Sequence, residues 1–228
     1  MKYVIYGDIH GCLEEFEELR KLIPKNSFEI CVGDILDKGP FCVETLRYVK
    51  KNKIFSLLGN HEYKHLRKWW GRKVILDEDQ QKIYPKLKKE DFEFISSMPY
   101  FFKTNRLTVI HAGITNKIHL NNPSFHQLNL LLFTREVDKN DNFLPLNHNK
   151  KGYFWADVYK GHESFIVYGH TPFKNPYKKK NSLGIDTGCV YGNKLSAVII
   201  PNTLKPYEYE IVEVKAKKAY ATPYKPLL

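Results

Sequence analysis

Tyr-Val-Ile-Tyr-Gly-Asp-Ile-His-Gly, residues Tyr3 to Gly11, decides how the rest of the chain is read. An apolar, β-rich run ends at Gly7, and Asp8 and His10 follow two positions apart. In a continuing extended conformation their side chains leave the same face, which sets a hard oxygen donor beside an imidazole. Gly11 permits a sharp turn, and Leu13, Phe16, Leu19 and Leu22 then recur at the spacing of an amphipathic helix. By itself the stretch is explained equally well by a capped turn and by half of a metal site.

Working outward, the first sixty residues alternate between two periods. Strands are expected at Tyr3–Tyr6, Glu29–Val32 and Lys53–Leu58, and helices at about Leu13–Leu22 and Phe41–Asn52. A βαβαβ series with short connections implies a parallel sheet covered by helices. The three strands end in Gly7-Asp8-Ile9-His10-Gly11, in Gly33-Asp34-Ile35-Leu36-Asp37-Lys38-Gly39 and in Gly59-Asn60-His61-Glu62. Ligands bind at the carboxyl edge of open α/β sheets, so the three clusters are expected to converge. Asp8, His10 and Asp34 would then hold one cation, and Asp34 could bridge to a second held by Asn60. Carboxylate, imidazole and amide donors suit manganese, iron or zinc better than calcium. Two such ions lower the pKa of a shared water and clamp the oxygens of a displacement at phosphorus. The second ion needs further donors. Leu107–Ile110 leads into His111-Ala112-Gly113, and Phe165–Tyr168 into Gly169-His170-Thr171-Pro172, each a strand followed by a histidine beside glycine.

The set GDxHG, GDxxDxG, GNHE, HAG and GHTP, at residues 7–11, 33–39, 59–62, 111–113 and 169–172, resembles the phosphoprotein phosphatase branch of the calcineurin-like metallophosphoesterases. The match runs from about Tyr3 to Gly188, with the order and spacing of the small bacterial members. It implies an α/β fold, a four-layer αββα sandwich of two mixed β-sheets flanked by helices, with a dinuclear site at the carboxyl edge of the strands. Carried over residue by residue, it implies one ion on Asp8, His10 and Asp34 and another on Asp34, Asn60, His111 and His170, most simply two Mn²⁺. His61 matches the family's general acid and Asp37 the carboxylate that orients it. The attacking group would be a hydroxide shared by the ions. His65, His119, His126, His148 and His162 follow no such grammar and are read as ordinary core or surface residues.

The phosphate grip departs from the protein-phosphatase pattern, where arginines flank the second and third motifs. Here Lys38 and Leu58 stand at those places, and a lysine lacks the planar fork. Arg135, in Leu131–Glu136, resembles the LLWxRE segment of bacterial members and is a phosphate-binding candidate. Glu62–Arg67 and Gly71–Val74 resemble the pattern of bacterial dinucleoside-tetraphosphate hydrolases and of RNA end-repair phosphatases. Lys64 and Arg67 lie three apart on a helix, where they could meet a second phosphate or form a solvated face. Dinucleoside polyphosphates or nucleotides are therefore the expected substrates. A Ser/Thr phosphoprotein or an RNA 5′ or 3′ end is the alternative partner, and a non-catalytic RNA-binding scaffold the alternative of another class.

Composition fits this picture. The 228 residues carry 36 basic and 25 acidic side chains, a formal charge of +11 that attracts anions such as phosphates. At 43% hydrophobic content one domain with a full core is expected over residues 1–214. Residues 77–100 are expected to be a helical excursion over the site, and 215–228 a basic tail that packs loosely or enters a neighbour. Trp69 and Trp70 are adjacent, so one points outward, to stack on a base or to lie against the excursion. Cys12, Cys31, Cys42 and Cys189 lack CxxC spacing and are expected to be free and buried. With neither a leader pattern nor an apolar run of about 20 residues, a soluble cytoplasmic protein is expected.

Overall fold

Val4 and Tyr6 leave the first strand on one face and Ile5 on the other, yet all three are fully buried. A strand hidden on both faces needs a layer on each side. A computed structural model, which describes residues 2–201, 208–224 and 226–228, supplies both layers.

The chain runs β1 (Lys2–Tyr6), α1 (Leu13–Leu22), β2 (Phe28–Cys31), α2 (Cys42–Lys51), β3 (Phe55–Ser56) and α3 (Asn60–Trp69). It continues through α4 (Glu78–Ile83), a 3-10 turn (Tyr84–Lys86) and α5 (Lys89–Ser96) into β4 (Phe101–Lys103) and β5 (Leu107–Ile110). After α6 (Phe125–Leu130) come three two-residue strands, β6 (Glu136–Val137), β7 (Phe143–Leu144) and β8 (Tyr153–Phe154). Then follow α7 (Trp155–Val158), β9 (Phe165–Tyr168), β10 (Tyr177–Lys178), β11 (Ser182–Gly184), β12 (Lys194–Pro201) and β13 (Glu210–Lys215).

One sheet has the order β13-β12-β1-β2-β3, parallel within β1-β2-β3 and antiparallel through β12 and β13. The other has the order β10-β11-β9-β5-β4, parallel within β11-β9-β5 and antiparallel at both edges. Both sheets are mixed, as expected. Ile5, Ile30 and Val198 of the first meet Val109, Val167 and Leu183 of the second in a wholly apolar seam. On the outer face of the first sheet, Tyr6, Cys31 and Ala197 pack under Phe16, Leu19 and Leu46 of α1 and α2. On the outer face of the second, Ile110, Ile166 and Tyr168 pack under Leu131, Trp155 and Ala156. The four layers are therefore helix, sheet, sheet, helix. Between α1 and β2, the guanidinium of Arg20 grips Glu29 at 2.7 and 2.8 Å, and Tyr6 donates to the same carboxylate at 2.6 Å.

Several details differ from expectation for local reasons. The third strand shortens to two residues, and beyond it the Leu58 N–H leaves the ladder to donate to the Pro99 carbonyl at 2.9 Å. A third small sheet, β7-β6-β8, is built from pairs too short to show any periodicity. The 77–100 excursion buries Ile83, Leu87, Phe92 and Ile95 in the first helix layer, beside α2 and α3. It packs as ordinary helices and supplies none of the residues lining the central cavity. Trp69 stacks on Phe92 with ring centroids 5.2 Å apart, so it lies against the excursion, while Trp70 faces outward.

The tail is anchored near its start. Lys217 N–H and the Tyr220 hydroxyl both donate to buried Glu15 on α1, at 3.0 and 2.8 Å. The alternating sequence also predicts last strands at about Leu195–Ile200 and Tyr207–Val214, and Tyr207 lies outside the described residues. All four cysteines are free and buried, and among the described residues no helix is long and apolar enough to cross a membrane.

Candidate dinuclear metal centre

Five strands of the two sheets deliver their carboxyl ends to one place. β1 brings Asp8 and His10, β2 brings Asp34 and Asp37, β3 leads into Asn60 and His61, β5 into His111 and β9 into His170. Approach this close depends on glycine. A Cβ on Gly33 would stand 2.7 Å from the Gly59 Cα, and a Cβ on Gly169 would collide with Asp8 Oδ1.

The local backbone is not the continuing strand expected after Tyr6. His10 has φ 45°, because Ile9 N–H and His10 N–H both donate to the Asp34 carbonyl and pull the chain into a turn. Asp34 (50°), Asp37 (72°), Lys38 (68°) and His170 (67°) are also left-handed. Such conformations cost non-glycine residues roughly 1–2 kcal/mol each, and they cluster where surrounding contacts over-determine them. Glu62 is one source of that constraint. Its fully buried carboxylate accepts from the N–H groups of Asp34 (2.8 Å), Leu36 (2.8 Å) and Gly59 (3.1 Å), clamping two strand-end loops together.

Asp34 lies at the middle. Its Oδ2 is 3.6 Å from His10 Nε2 and 3.9 Å from His61 Nε2, while its Oδ1 is 3.4 Å from His111 Nε2. His111 Nε2 is in turn 2.9 Å from Asn60 Oδ1 and 3.2 Å from His170 Nδ1. Asp8 closes the other side, with both carboxylate oxygens 3.0 Å from the His170 N–H. All six expected ligands thus come together.

Protonation supports a cation. His10 Nδ1 lies 2.7 Å from the Leu36 carbonyl and His111 Nδ1 lies 3.0 Å from that of Val32, contacts that place a proton on each Nδ1 and a lone pair on each Nε2. For His111 that lone pair faces the oxygen of Asn60 and a nitrogen of His170, a cluster of donors that a positive ion would satisfy. Burial drives the His10, His111 and His170 imidazoles below their ordinary pKa, toward the neutral form that binds metal. Burial, with Asp186 and Asp34 nearby, pushes the Asp8 carboxyl well above the usual range, and a divalent ion would reverse this. The Lys38 ammonium already sits 2.8 Å from His10 Nε2, so this corner accommodates positive charge. The residues therefore fit a pair of divalent cations.

Beside the centre, His61 Nδ1–H donates to Asp37 Oδ2 at 2.6 Å. Asp37 also accepts from His65 Nε2–H at 2.7 Å and from the Gln80 amide at 2.9 Å. Burial opposes the Asp37 carboxylate, but the bonds from His61 and His65 outweigh it and hold its pKa below the usual range. Spacing offered a signal for His65, which lies one turn beyond His61 on the same helix face. Gln80 gave none, since it approaches from the excursion.

Lys38 and Arg135 line the cavity in front of the centre, and Arg135 donates to the His170 carbonyl at 3.1 Å. Arg135 stands in the irregular segment immediately before β6. Lys64 and Arg67 are not brought there. Lys64 pairs with Asp77 at 3.2 Å, and the Arg67 guanidinium lies 5.9 Å from the Tyr63 ring centre. Asp186, whose carboxyl burial pushes up to about 6, lines the same cavity and accepts from Gly188 N–H. Glu136 and His148, paired at 2.7 Å, stand at its rim. No local pattern marks that pair.

Substituting Gly169→Ala is expected to weaken Mn²⁺ binding at least tenfold by titration calorimetry, with the circular dichroism spectrum unchanged. Unaltered affinity would mean that Asp8 is no ligand.

A family model of calcineurin-like phosphoesterases matches residues 1–200. The bis(5′-nucleosyl)-tetraphosphatase PrpE (asymmetrical) of Oceanobacillus iheyensis is 32% identical, over 96% of this chain and 94% of its own length. The protein of the same name from Bacillus cereus strain Q1 is 31% identical over 94% of each chain. Among solved structures, a protein provisionally named a diadenosine tetraphosphatase superposes with a TM-score of 0.77 at 24% identity, covering 94% of this chain and 93% of its own. A serine/threonine phosphatase of Saccharomyces cerevisiae gives 0.62 at 16% identity, over 96% and 81%. These two likenesses show the fold. With a family model across most of its length and near-full-length relatives at this identity, the chain belongs to the calcineurin-like metallophosphoesterases, hydrolases of phosphoester and phosphoanhydride bonds.

Proposed function

We propose that this chain hydrolyses dinucleoside polyphosphates, with diadenosine tetraphosphate as the representative substrate. The carrying observation is the join between the donor cluster around Asp34 and a cavity of about 320 Å³ that has a basic near edge and an apolar far wall. Near-full-length relatives named asymmetrical bis(5′-nucleosyl)-tetraphosphatases support the same class. Leu58 supports it too, because it is buried in the core and offers no grip on a phosphoryl group.

Asp8, His10 and Asp34 would hold one divalent cation, and Asp34, Asn60, His111 and His170 a second, with manganese the best match to this donor set. Such a pair supplies an acidified water and charge neutralisation at phosphorus. The chain's own groups do the rest. Lys38 and Arg135 draw the phosphate chain to the centre and balance its charge. Asp37, braced by His65 and Gln80, fixes the His61 ring so that a proton carried on Nε2 faces the departing oxygen. Off-centre cleavage of a tetraphosphate releases a nucleoside monophosphate and a triphosphate. Buried free thiols accord with a reducing cytoplasmic setting.

With Mn²⁺, diadenosine tetraphosphate is expected to be turned over at least a hundredfold more efficiently than a phosphoserine peptide or a 5′-phosphorylated RNA, with AMP and ATP as products by chromatography. The reverse order would overturn the substrate assignment. Replacing His61→Ala should lower kcat about 10²–10⁴-fold while Mn²⁺ affinity stays within twofold. The loss should be smaller with p-nitrophenyl phosphate, whose leaving group needs no proton. An equal loss on both substrates would remove His61 from the acid role.

A further inference from the structure

We infer that residues 216–224 and 226–228 form a strap that builds a nucleoside-binding subsite beside the metal centre, with the Tyr224 ring as the stacking surface for the base. The inference rests on the dinucleoside polyphosphate reading and adds to it the place where one nucleoside is held.

The described part of the strap is fastened at both ends. Near its start, Ala216 N–H donates to the Asn193 carbonyl at 2.9 Å, and Tyr220 and Ala221 N–H donate to that of Val190 at 2.8 and 3.0 Å. Glu15 holds the same end through Lys217 and Tyr220. At the far end Leu228 N–H donates to the Pro172 carbonyl at 3.1 Å, and Lys174 N–H returns a bond to Leu228 at 2.8 Å. Pro172 is two residues from His170, so the strap is tied to the loop that carries a candidate ligand.

The segment between β11 and β12 is shaped to receive it. Gly188 (φ +65°) and Gly192 (φ +88°) face the strap, where an added Cβ would stand 2.9 Å from Leu227 and 3.0 Å from Ala219. Both the positive φ and the close approach call for glycine at these positions.

Between its fastenings the strap supplies Pro223, Tyr224, Pro226 and Leu228 to the cavity wall. Tyr224 is 83% exposed and Leu228 67%, while Leu146 (53%) and Phe133 (39%) stand exposed on the same cavity. Four of the eleven exposed large hydrophobic side chains among the described residues thus meet at one place. Single exposed apolar residues are ordinary, but a cluster beside a polar centre marks a ligand surface. The occupant must join negative charge at one end to a flat apolar face at the other. A nucleoside linked to a phosphate chain has this form. Its phosphates would meet Lys38 and Arg135, its base would lie on Tyr224, and the Glu136–His148 pair on the rim offers polar partners for base or ribose.

Calorimetric titration with AMP and steady-state kinetics with diadenosine tetraphosphate and p-nitrophenyl phosphate test this on the full chain. Tyr224→Ala is expected to weaken AMP binding about tenfold and to raise KM for diadenosine tetraphosphate similarly, with a smaller effect on kcat. The ratio of kcat/KM for diadenosine tetraphosphate to that for p-nitrophenyl phosphate should fall to match. Tyr224→Phe, which keeps the ring, should restore all three. Unchanged AMP affinity in Tyr224→Ala, a parallel loss on both substrates, or a Phe variant as weak as Ala would overturn the subsite. If the unaltered chain binds AMP in a Tyr224-dependent way but does not cleave diadenosine tetraphosphate, the subsite stands and the substrate assignment falls.

Discussion

A buried carboxylate surrounded by imidazole nitrogens is the constraint on which the rest of this structure turns. Asp34 is 2% exposed, and its two oxygens face His10 and His61 on one side and His111 on the other. An ionised carboxylate in such a position costs several kcal/mol unless opposite charge compensates it. Burial opposes the charge, but the facing imidazoles and the Lys38 ammonium outweigh it and hold Asp34 below the usual carboxylate range, and where His10 and His111 are neutral a bound cation would supply the charge they do not. The fold serves this arrangement. Two sheets face each other so that strands from both end around one carboxylate, glycines let the strand ends approach, and Glu62 fastens the loops that strain Asp34 out of the ordinary backbone regions.

The strand and helix series and the polar clusters at its strand ends were legible in the sequence, because strands buried on both faces are written as apolar runs and each cluster follows one; the four-layer sandwich came only from the family resemblance. Asp8, His10, Asp34, Asn60, His111 and His170 could be named from that grammar, and the structure brings all six together. The errors have physical sources. Extended geometry through His10 failed because two amide groups find one carbonyl on a neighbouring loop, a contact 24 residues away that no local pattern encodes. Lys64 and Arg67 lie three apart on α3 as expected, but Lys64 pairs with Asp77 and the Arg67 guanidinium lies over the Tyr63 ring one turn earlier on the same helix. His65 and His148 follow no strand, and their carboxylate partners, Asp37 and Glu136, become neighbours only on folding. The strap was opaque for the same reason. Its prolines and lysines suppress periodicity, and what orders it is a carboxylate on α1 about 200 residues earlier.

The centre and the strap divide the work of recognition. Charge draws a polyphosphate inward, which a protein of formal charge +11 does over some distance. Charge alone does not distinguish one phosphate ester from another. Discrimination requires surface that only the right ligand covers, and the strap together with the rim of the small third sheet provides the apolar part of that surface. The excursion at 77–100 contributes from behind, through Gln80 on Asp37, so even the segment away from the cavity reaches the His61 ring.

Anomalous diffraction from crystals grown with Mn²⁺ tests the central claim most directly. Two manganese peaks about 3.5–4 Å apart are expected with the Asp34 carboxylate between them, one beside Asp8 and His10 and the other beside Asn60, His111 and His170. A single peak, or a pair that Asp34 does not join, would contradict it.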